Sequence, residues 1–385
     1  MASDMDVLIV GCGLTGSVIA RHLAEHGKKV VIWERRNHIG GNMYDYRDEN
    51  GIMVHQYGPH VFHTYTKELM DYMQSYAEWV DFPITCQVYM LDKFTPSPFN
   101  YKTIDDYYSE EDARELKADL AREYPGRTKA TIVELLESKS ARIKEYADFL
   151  FRHDYSLYTA KQWGLEPSQI DPSVLKRVPV LFSYKDGYFD DTWQKVPKDG
   201  YTAWFEQLLD HPNISVSLNV EALEHLKIEG CRILLDGIPF EKPVIYTGAL
   251  DELMNQKYGA LSYRSLRFEW KTENKDHYQG AALVAYPEAE GYTRITEYSH
   301  FPQKEKHNVT SLAYEYPVTY TSGNQIEPYY PILNEKSICA HNRYVEEAAK
   351  IPNLICCGRL ADFKYYNMDQ ALERALSICA MLDTK

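Results

Sequence analysis

No apolar run in this chain approaches the roughly 18 residues that a bilayer-spanning helix needs, so stable membrane insertion is not expected. Positive charge is also in short supply. The 385 residues carry 42 Lys and Arg against 56 Asp and Glu, a net charge of −14. Nucleic acid and anionic membranes are therefore not expected partners, and any anionic ligand must be held by local arginines. Cysteines number seven, Cys356 and Cys357 are neighbours, and no CxxC pair occurs. Reduced thiols in cytoplasm are expected, not a disulfide framework. The first residues, MASDMDVLIVG, enter a strand with no basic stretch followed by an apolar one, so no secretory signal is expected. Internal repeats and low-complexity tracts are missing as well.

What is plentiful is tyrosine, at 32 residues. Its ring gives a flat apolar face and its hydroxyl a polar tip, which suits a site that stacks a ring and hydrogen-bonds a sugar or phosphate. Most of the 32 are accounted for by half-buried surfaces.

A chain of this length suits two or three packed lobes. Residues 5–35 read as one βαβ unit: MDVLIVG, then GLTGSVIARHLAEHG, then KKVVIWE. From about Thr66 to Ala77 and from Thr103 to Trp163 the pattern turns helical, while residues 183–317 are strand-like, as in ISVSLNV, CRILLDG, YRSLRFEW and GAALVAYP. The expectation is an α/β fold: an FAD-binding Rossmann-like domain (1–65, 198–255 and 330–385), an inserted helical substrate-lid lobe (66–80 and 103–172), and an antiparallel β-sheet domain (81–102, 173–197 and 256–329).

Gly11-Cys12-Gly13-Leu14-Thr15-Gly16 is G-x-G-x-x-G between strand and helix. The glycines permit a tight turn and close approach to a pyrophosphate, and the helix N-terminus favours its charge. Glu34 ends the next strand, placed to take ribose hydroxyls. After Glu34, the run Arg35-Arg36-Asn37-His38-Ile39-Gly40-Gly41-Asn42 resembles the E-x-x-x-x-x-G-G extension of FAD-binding proteins of the glutathione-reductase and amine-oxidase type. Arg35 beside the acid also permits an NADP site; the double glycine favours FAD. Two further segments suit that arrangement, VIYTGALD with Gly248, and CCGRLADFKYYNMDQ with Arg359. Asn367, Met368 and Asp369 begin a closing helix, with Asn367 as its cap and its N-terminus turned to the flavin. The cofactor set is thus Gly11, Gly13, Leu14, Thr15, Gly16, Glu34, Arg35, Gly41, Asn42, Gly248, Arg359, Asn367, Met368 and Asp369.

One stretch stays open on spacing alone. QYGPHVFHT places His60 and His63 three apart behind Gly58 and Pro59. A metal site would need a third ligand, for which His55 is the local candidate; no metal is expected.

YTAKQWG (Tyr158 to Gly164), LKRVPV with Arg177, GYF with Tyr188, YRSL with Arg264, GYTRITEY with Arg294, YEY with Tyr316 and GRLADFKYYNMD with Arg359 and Tyr365 follow in order. Together with QYGPHVFHT they closely resemble the UDP-galactopyranose mutase family, and the resemblance runs from the first strand to the last helix. It implies a flavoenzyme that interconverts UDP-galactopyranose and UDP-galactofuranose for cell-wall or surface polysaccharide, through a bond between the sugar anomeric carbon and N5 of reduced FAD. It further implies an external reductant and a homodimer. Arg177 and Arg294 would neutralise the diphosphate; Tyr188, Tyr316 and Tyr365 would donate hydroxyls to it. Tyr158 would stack on uracil and Trp163 would cover the sugar from a lid, with Tyr155 and Arg264 also at the substrate. His60 takes the family position whose loop lies against the flavin. Arg177, Arg294, His60 and Trp163 are the residues expected to carry catalysis.

The chain departs from the family pattern at Leu157, Leu181, Lys195 and Asn367, where a glycine, a second arginine, a glycine and an aspartate are usual. UDP-N-acetylgalactosamine and dTDP-fucose therefore stand beside UDP-galactose as substrates. An amine-oxidase-type oxidoreductase and a non-catalytic nucleotide sensor are the readings from other classes; neither requires both the arginine pair and Trp163.

Overall fold

The structure is a computed structural model that describes residues 5–163, 179–305, 307–320 and 326–384. Four apolar residues, Val7–Val10 (β1), form the middle of its nucleotide-type sheet. A helix, Leu14–Glu25 (α1), and a second strand, Val30–Trp33 (β2), complete the opening βαβ unit, with β1 and β2 parallel. Ile214–Ser217 extends the sheet beyond β2, and Val244–Tyr246 followed by Leu354–Cys356 extends it beyond β1, all parallel. A parallel sheet is covered on both faces, so its inner strands are apolar runs rather than alternating ones. VLIV and VIY obey that rule. All five strands come from three separate stretches of the chain, residues 7–33, 214–246 and 354–356.

Ile9, Val18 and Ile32 pack with Trp204 and Phe205 of the helix Tyr201–Leu209 in the core on one side of this sheet. That helix is capped from a distance. Asp45, 2 % exposed, accepts from the Tyr201 N–H at 2.5 Å and the Thr202 N–H at 2.8 Å, meeting two of the donors a helix leaves unpaired at its start.

The helix Lys67–Gln74 corrects the expected lobe boundary. Leu69, Met70 and Met73 bury in the same core as Val18, and the Met73 carbonyl accepts from the Trp204 indole N–H at 2.7 Å. Residues 66–80 thus belong with the nucleotide domain, because their apolar face meets Trp204 and not the inserted helices. The helical lobe proper buries Leu116, Leu120, Ile132, Leu135, Ile143, Tyr146 and Leu150 against Val88, Met90 and Phe99.

The third layer is a seven-stranded sheet, ordered Tyr330–Pro331, Tyr263–Glu273, Thr310–Thr319, Arg294–Glu297, Leu283–Ala285, Cys86–Met90, Lys93–Ser97. It is antiparallel apart from one parallel joint between Leu283–Ala285 and Cys86–Met90. Trp193–Pro197, expected in this sheet, pairs instead with Phe62–Thr64 and Trp79–Asp81. Among the described residues, no helix is long and apolar enough to cross a membrane.

Asp45→Ala strands two buried N–H groups and should cost about 2 kcal/mol, lowering the thermal midpoint. Asp45→Asn should cost less, since its amide oxygen still accepts one bond. Equal midpoints for the alanine variant and the parent would show that Asp45 does not hold this helix start.

Candidate active site

The chain turns from β1 into α1 at the edge of a long cleft lined by Gly11, Gly13, Leu14, Thr15, Gly16, Glu34, Arg35, Gly41, Asn42, His60, Gly248, Arg359, Asn367 and Met368. Every residue expected at the cofactor lines it except Asp369, whose carboxylate accepts from the Gln370 N–H at 2.8 Å. The glycines are required by contact. A Cβ on Gly16 would lie 2.1 Å from the Gly11 carbonyl oxygen, and one on Gly41 (φ +57°) would lie 2.9 Å from the Gly13 Cα. The double glycine therefore closes onto the nucleotide loop.

Glu34, 6 % exposed, accepts from the Cys12 N–H at 2.8 Å and the Arg36 N–H at 2.9 Å, keeping further lone pairs at the cleft edge. Arg35 forms ion pairs with Glu327 and, at 3.6 Å, Glu252. Its charge is answered within the protein, which removes the ground for an NADP phosphate. Arg36 lines the same cleft, bonds Asn42 at 3.0 Å and lies 4.3 Å above the Tyr57 ring. The closing helix, Met368–Asp383, opens on the cleft, with the Asn367 N–H donating to Gln370 at 3.0 Å. Two helix N-termini thus face one elongated pocket, an arrangement that favours negative charge. Glycines that admit a pyrophosphate, a ribose acid and this second helix start fit FAD.

His60 and His63 do not act as a pair. His60 lines the cleft and its Nδ1–H donates to the Gly58 carbonyl at 2.8 Å, leaving Nε2 with the lone pair. Burial first, then His55, Arg359 and Arg294, pull its pKa down to about 3, so the ring is neutral at physiological pH. His55 accepts from the His60 backbone N–H at 2.9 Å. His63 stacks on Phe189 at 3.7 Å, with Nδ1 3.1 Å from Asp191. Among the described residues neither belongs to a set of three ligand atoms that could hold a metal.

Beyond His60 a second group of side chains gathers around Arg294. Its Nε and Nη2 contact Glu315, 3 % exposed, at 2.8 and 2.7 Å. Burial alone would lower the pKa of Arg294, but the Glu315 carboxylate together with Tyr158 and Tyr330 outweighs it and keeps the guanidinium charged. Arg294 also interacts electrostatically with Tyr158, Tyr188 and Tyr330. Tyr330 stacks on Tyr365 with centroids 4.9 Å apart, under Arg359 at 5.6 Å and Arg264 at 5.8 Å. Six sequence-predicted residues, Tyr158, Tyr188, Arg264, Arg294, Arg359 and Tyr365, thus meet through two the sequence reading missed, Tyr330 and Glu315. The signal for Tyr330 was the doublet in EPYYP, hard to separate from 30 other tyrosines until the pairing of Tyr330 with Arg264 places it.

Two expectations are overturned. Tyr316 follows Glu315 on one strand, so its ring points to the opposite sheet face, where the hydroxyl donates to Glu269 at 3.1 Å and Arg267 covers the ring at 4.2 Å. Tyr155, 3 % exposed, packs in the helical lobe against Phe99. It sits in a π-helical turn, Phe151–Tyr155, which aims it at the lobe core and away from the Arg294 group. Trp163 ends the next helix, Ser156–Trp163; its side chain, Gly164 and Arg177 lie outside the described residues.

The last turn of that helix is tied down. Lys161 Nζ donates to the carbonyls of Tyr286, Ala289 and Tyr292 at 2.5, 2.9 and 2.8 Å, gripping the hairpin that leads into Arg294. Burial lowers its pKa to about 8, opposed by Asp154. Asp154, 9 % exposed, is raised to about 7 by burial, opposed by Lys161.

This fold and cleft define an FAD-binding protein of the Rossmann class. Residues 9–76 match a model of NAD(P)-binding Rossmann-like domains, and residues 154–365, just over half the chain, match the UDP-galactopyranose mutase model. A Mycoplasma pneumoniae UDP-galactopyranose mutase is 34% identical over 97% of this chain and 95% of its own length. A dTDP-fucopyranose mutase of Escherichia coli is 35% identical over 98% of each. The crystal structure of a reduced UDP-galactopyranose mutase superposes with a TM-score of 0.71 at 17% identity, covering 99% of this chain and 94% of the other. A putrescine oxidase reaches 0.57 at 12% identity over 99% of each, a likeness of fold alone. The chain belongs to the UDP-galactopyranose mutase family, and is an isomerase with FAD as its cofactor.

The Asp154 carboxyl sets a pH test. Unfolded it ionises near pH 3.9, but folded it keeps its proton up to about 7. Between those values the unfolded state releases a proton that the native state holds, so the penalty on folding grows with pH and is complete above 7. Asp154→Asn should therefore raise the thermal midpoint at pH 8, by an amount that shrinks toward nothing near pH 4. A gain that does not change with pH would mean that Asp154 is ionised in the fold.

Proposed function

We propose that the protein interconverts UDP-galactopyranose and UDP-galactofuranose by ring contraction, with the nucleotide held by the Arg294 group. The observation that carries this reading is contiguity: His60 lines the FAD cleft and is at the same time within electrostatic reach of both Arg359 and Arg294. A sugar carried by that group would thus lie against the flavin.

Reduced FAD, when bound, supplies the nucleophile for the anomeric carbon as the nucleoside diphosphate departs. The chain's own residues have the task of holding that leaving group and the sugar. Glu315 already answers the charge of Arg294, so a diphosphate needs a further cation, and Arg359 over Tyr330 provides it. Tyr365, 50 % exposed, and Tyr188, 49 % exposed, would add hydroxyl donors. Tyr158 is the candidate for stacking the base. Neutral His60 can accept a hydrogen bond at Nε2 without adding positive charge beside the flavin. The N-terminus of the closing helix favours negative charge at its end of the cleft. No pair of carboxylates is required as acid and base.

An external reductant, a homodimer and a cytoplasmic location complete the reading; seven free cysteines support the last. The mutases of UDP-galactose and dTDP-fucose are equally distant relatives. UDP-galactose is preferred here on the order of motifs, and dTDP-fucose is the second reading.

Dithionite-reduced protein should convert UDP-galactofuranose to the pyranose isomer, followed by chromatography, while oxidised protein without reductant should not. Equal turnover by the oxidised form would overturn the flavin-nucleophile mechanism, and conversion of the dTDP-fucose pair alone would replace the substrate. Arg294→Ala removes a charge-assisted contact worth about 1.5–3 kcal/mol, which is tenfold or more in turnover at ~1.4 kcal/mol per decade. Arg294→Lys should recover only part, lacking the planar fork. Parent-like turnover in the alanine variant would place the diphosphate elsewhere.

A further inference from the structure

Two sets of three metal-ligating side chains occur among the described residues, both outside the cleft. They differ in how much donor capacity is left. In the first, His277 and His300 flank Glu297, which is fully buried. Glu297 already accepts from the N–H groups of Tyr278 and Gln279 at 2.7 and 2.8 Å and from the hydroxyls of Thr310 and Ser299 at 2.8 and 3.0 Å. The His300 Nε2 is 2.9 Å from the Gln279 carbonyl, which fixes it as a donor. With its lone pairs engaged, this set is a buried carboxylate held by its donors.

In the second set the His26 Nε2 lone pair is free, and the other two ligand atoms are engaged only with each other. His22 lies in the last turn of α1 and His26 caps its end, four residues on, so both rings leave the same helical face. Asp383 reaches them from the last turn of the closing helix. The His26 Nδ1 is 2.7 Å from the His22 carbonyl, an acceptor, so that nitrogen carries the proton and Nε2 carries the lone pair. A backbone carbonyl holding the other ring nitrogen is the usual support of a metal-ligating histidine. Asp383 Oδ1 lies 2.8 Å from the His22 Nε2 and 3.8 Å from the His26 Nε2. Two ligand atoms on a tetrahedral ion at ~2.0 Å are about 3.3 Å apart, and the two separations bracket that value. The three donor atoms lie within 4.8 Å of one another, at a site open to solvent for a fourth ligand.

We propose that His22, His26 and Asp383 form a binding site for a divalent transition-metal ion, Zn²⁺, Co²⁺ or Ni²⁺ by the chemistry of two imidazoles and one carboxylate. The ion replaces the His22–Asp383 hydrogen bond, with the His22 proton moving to Nδ1. Its effect follows from where the helices run. α1 leaves the nucleotide loop and the closing helix starts at Asn367 in the same cleft, so the ion would join their far ends and brace both walls of the cofactor site from outside.

The test uses the untagged, FAD-loaded chain, since an affinity tag would supply imidazoles of its own. Titration with Co²⁺ should give the visible absorption of a tetrahedral site, saturating at one ion per chain, and Zn²⁺ should abolish it by competition. Zn²⁺ should also raise the thermal midpoint in a concentration-dependent way that a chelator reverses. His26→Gln and Asp383→Asn should each weaken binding tenfold or more while leaving FAD content unchanged. His277→Gln should leave binding intact. Absence of saturable binding below millimolar metal would overturn the proposal, as would undiminished binding in the His26 and Asp383 variants. Loss of binding in the His277 variant would move the ion to the other set.

Discussion

Everything in the cofactor region depends on two stretches of backbone meeting where no side chain fits. The Gly41 Cα faces the Gly13 Cα so closely that a methyl group on Gly41 would stand 2.9 Å away. That approach brings the chain after the ribose acid back across the nucleotide loop, and it sets the positions of Asn42, Arg36 and then His60. Glu34 fixes the same corner by accepting from both Cys12 and Arg36. The loop is held by backbone contact and one buried carboxylate, and two helix ends add to the cleft's preference for negative charge.

Cations are instead concentrated one step away. Arg294 is buried together with its counter-charge, and the cost of desolvating both is offset by the two short contacts to Glu315. This pairing keeps Arg294 in one orientation at the price of its net charge. Arg264 and Arg359 lie over the ring of Tyr330, so three arginines gather locally in an acidic protein of net charge −14. The hairpin carrying Arg294 is in turn fastened to the helix Ser156–Trp163 by Lys161.

Much of this was legible in the chain. The βαβ opening, the G-x-G-x-x-G turn, the acid after β2 and the double glycine are local patterns, and each specifies a backbone path over fewer than about 30 residues. The strand VIY and the strand before CCGRL were also recognisable as apolar runs. Arg264, Arg294, Arg359 and Tyr365 stood out because they lie within recognisable motifs. The lobe boundary at 66–80 was misjudged because periodicity reports that a helix has an apolar face, and not which core receives it.

Alternation along a strand and the 3.6-residue turn of a helix fix which residues of the sequence share a face, without reference to neighbours. They do not determine what each face meets. Glu315 and Tyr316 are adjacent, yet one holds Arg294 in the site and the other lies on the far side of the sheet, and long-range pairing alone decided which. Tyr155, three residues before Tyr158, entered the core of the helical lobe against Phe99. Tyr330 joined the Arg294 group through its pairing with Arg264, across 66 residues of chain. His22 and Asp383, 361 positions apart, are neighbours only because the first and last helices pack side by side. Contacts of this separation carry no local signature, since the energy that selects them is the burial of whole faces against one another.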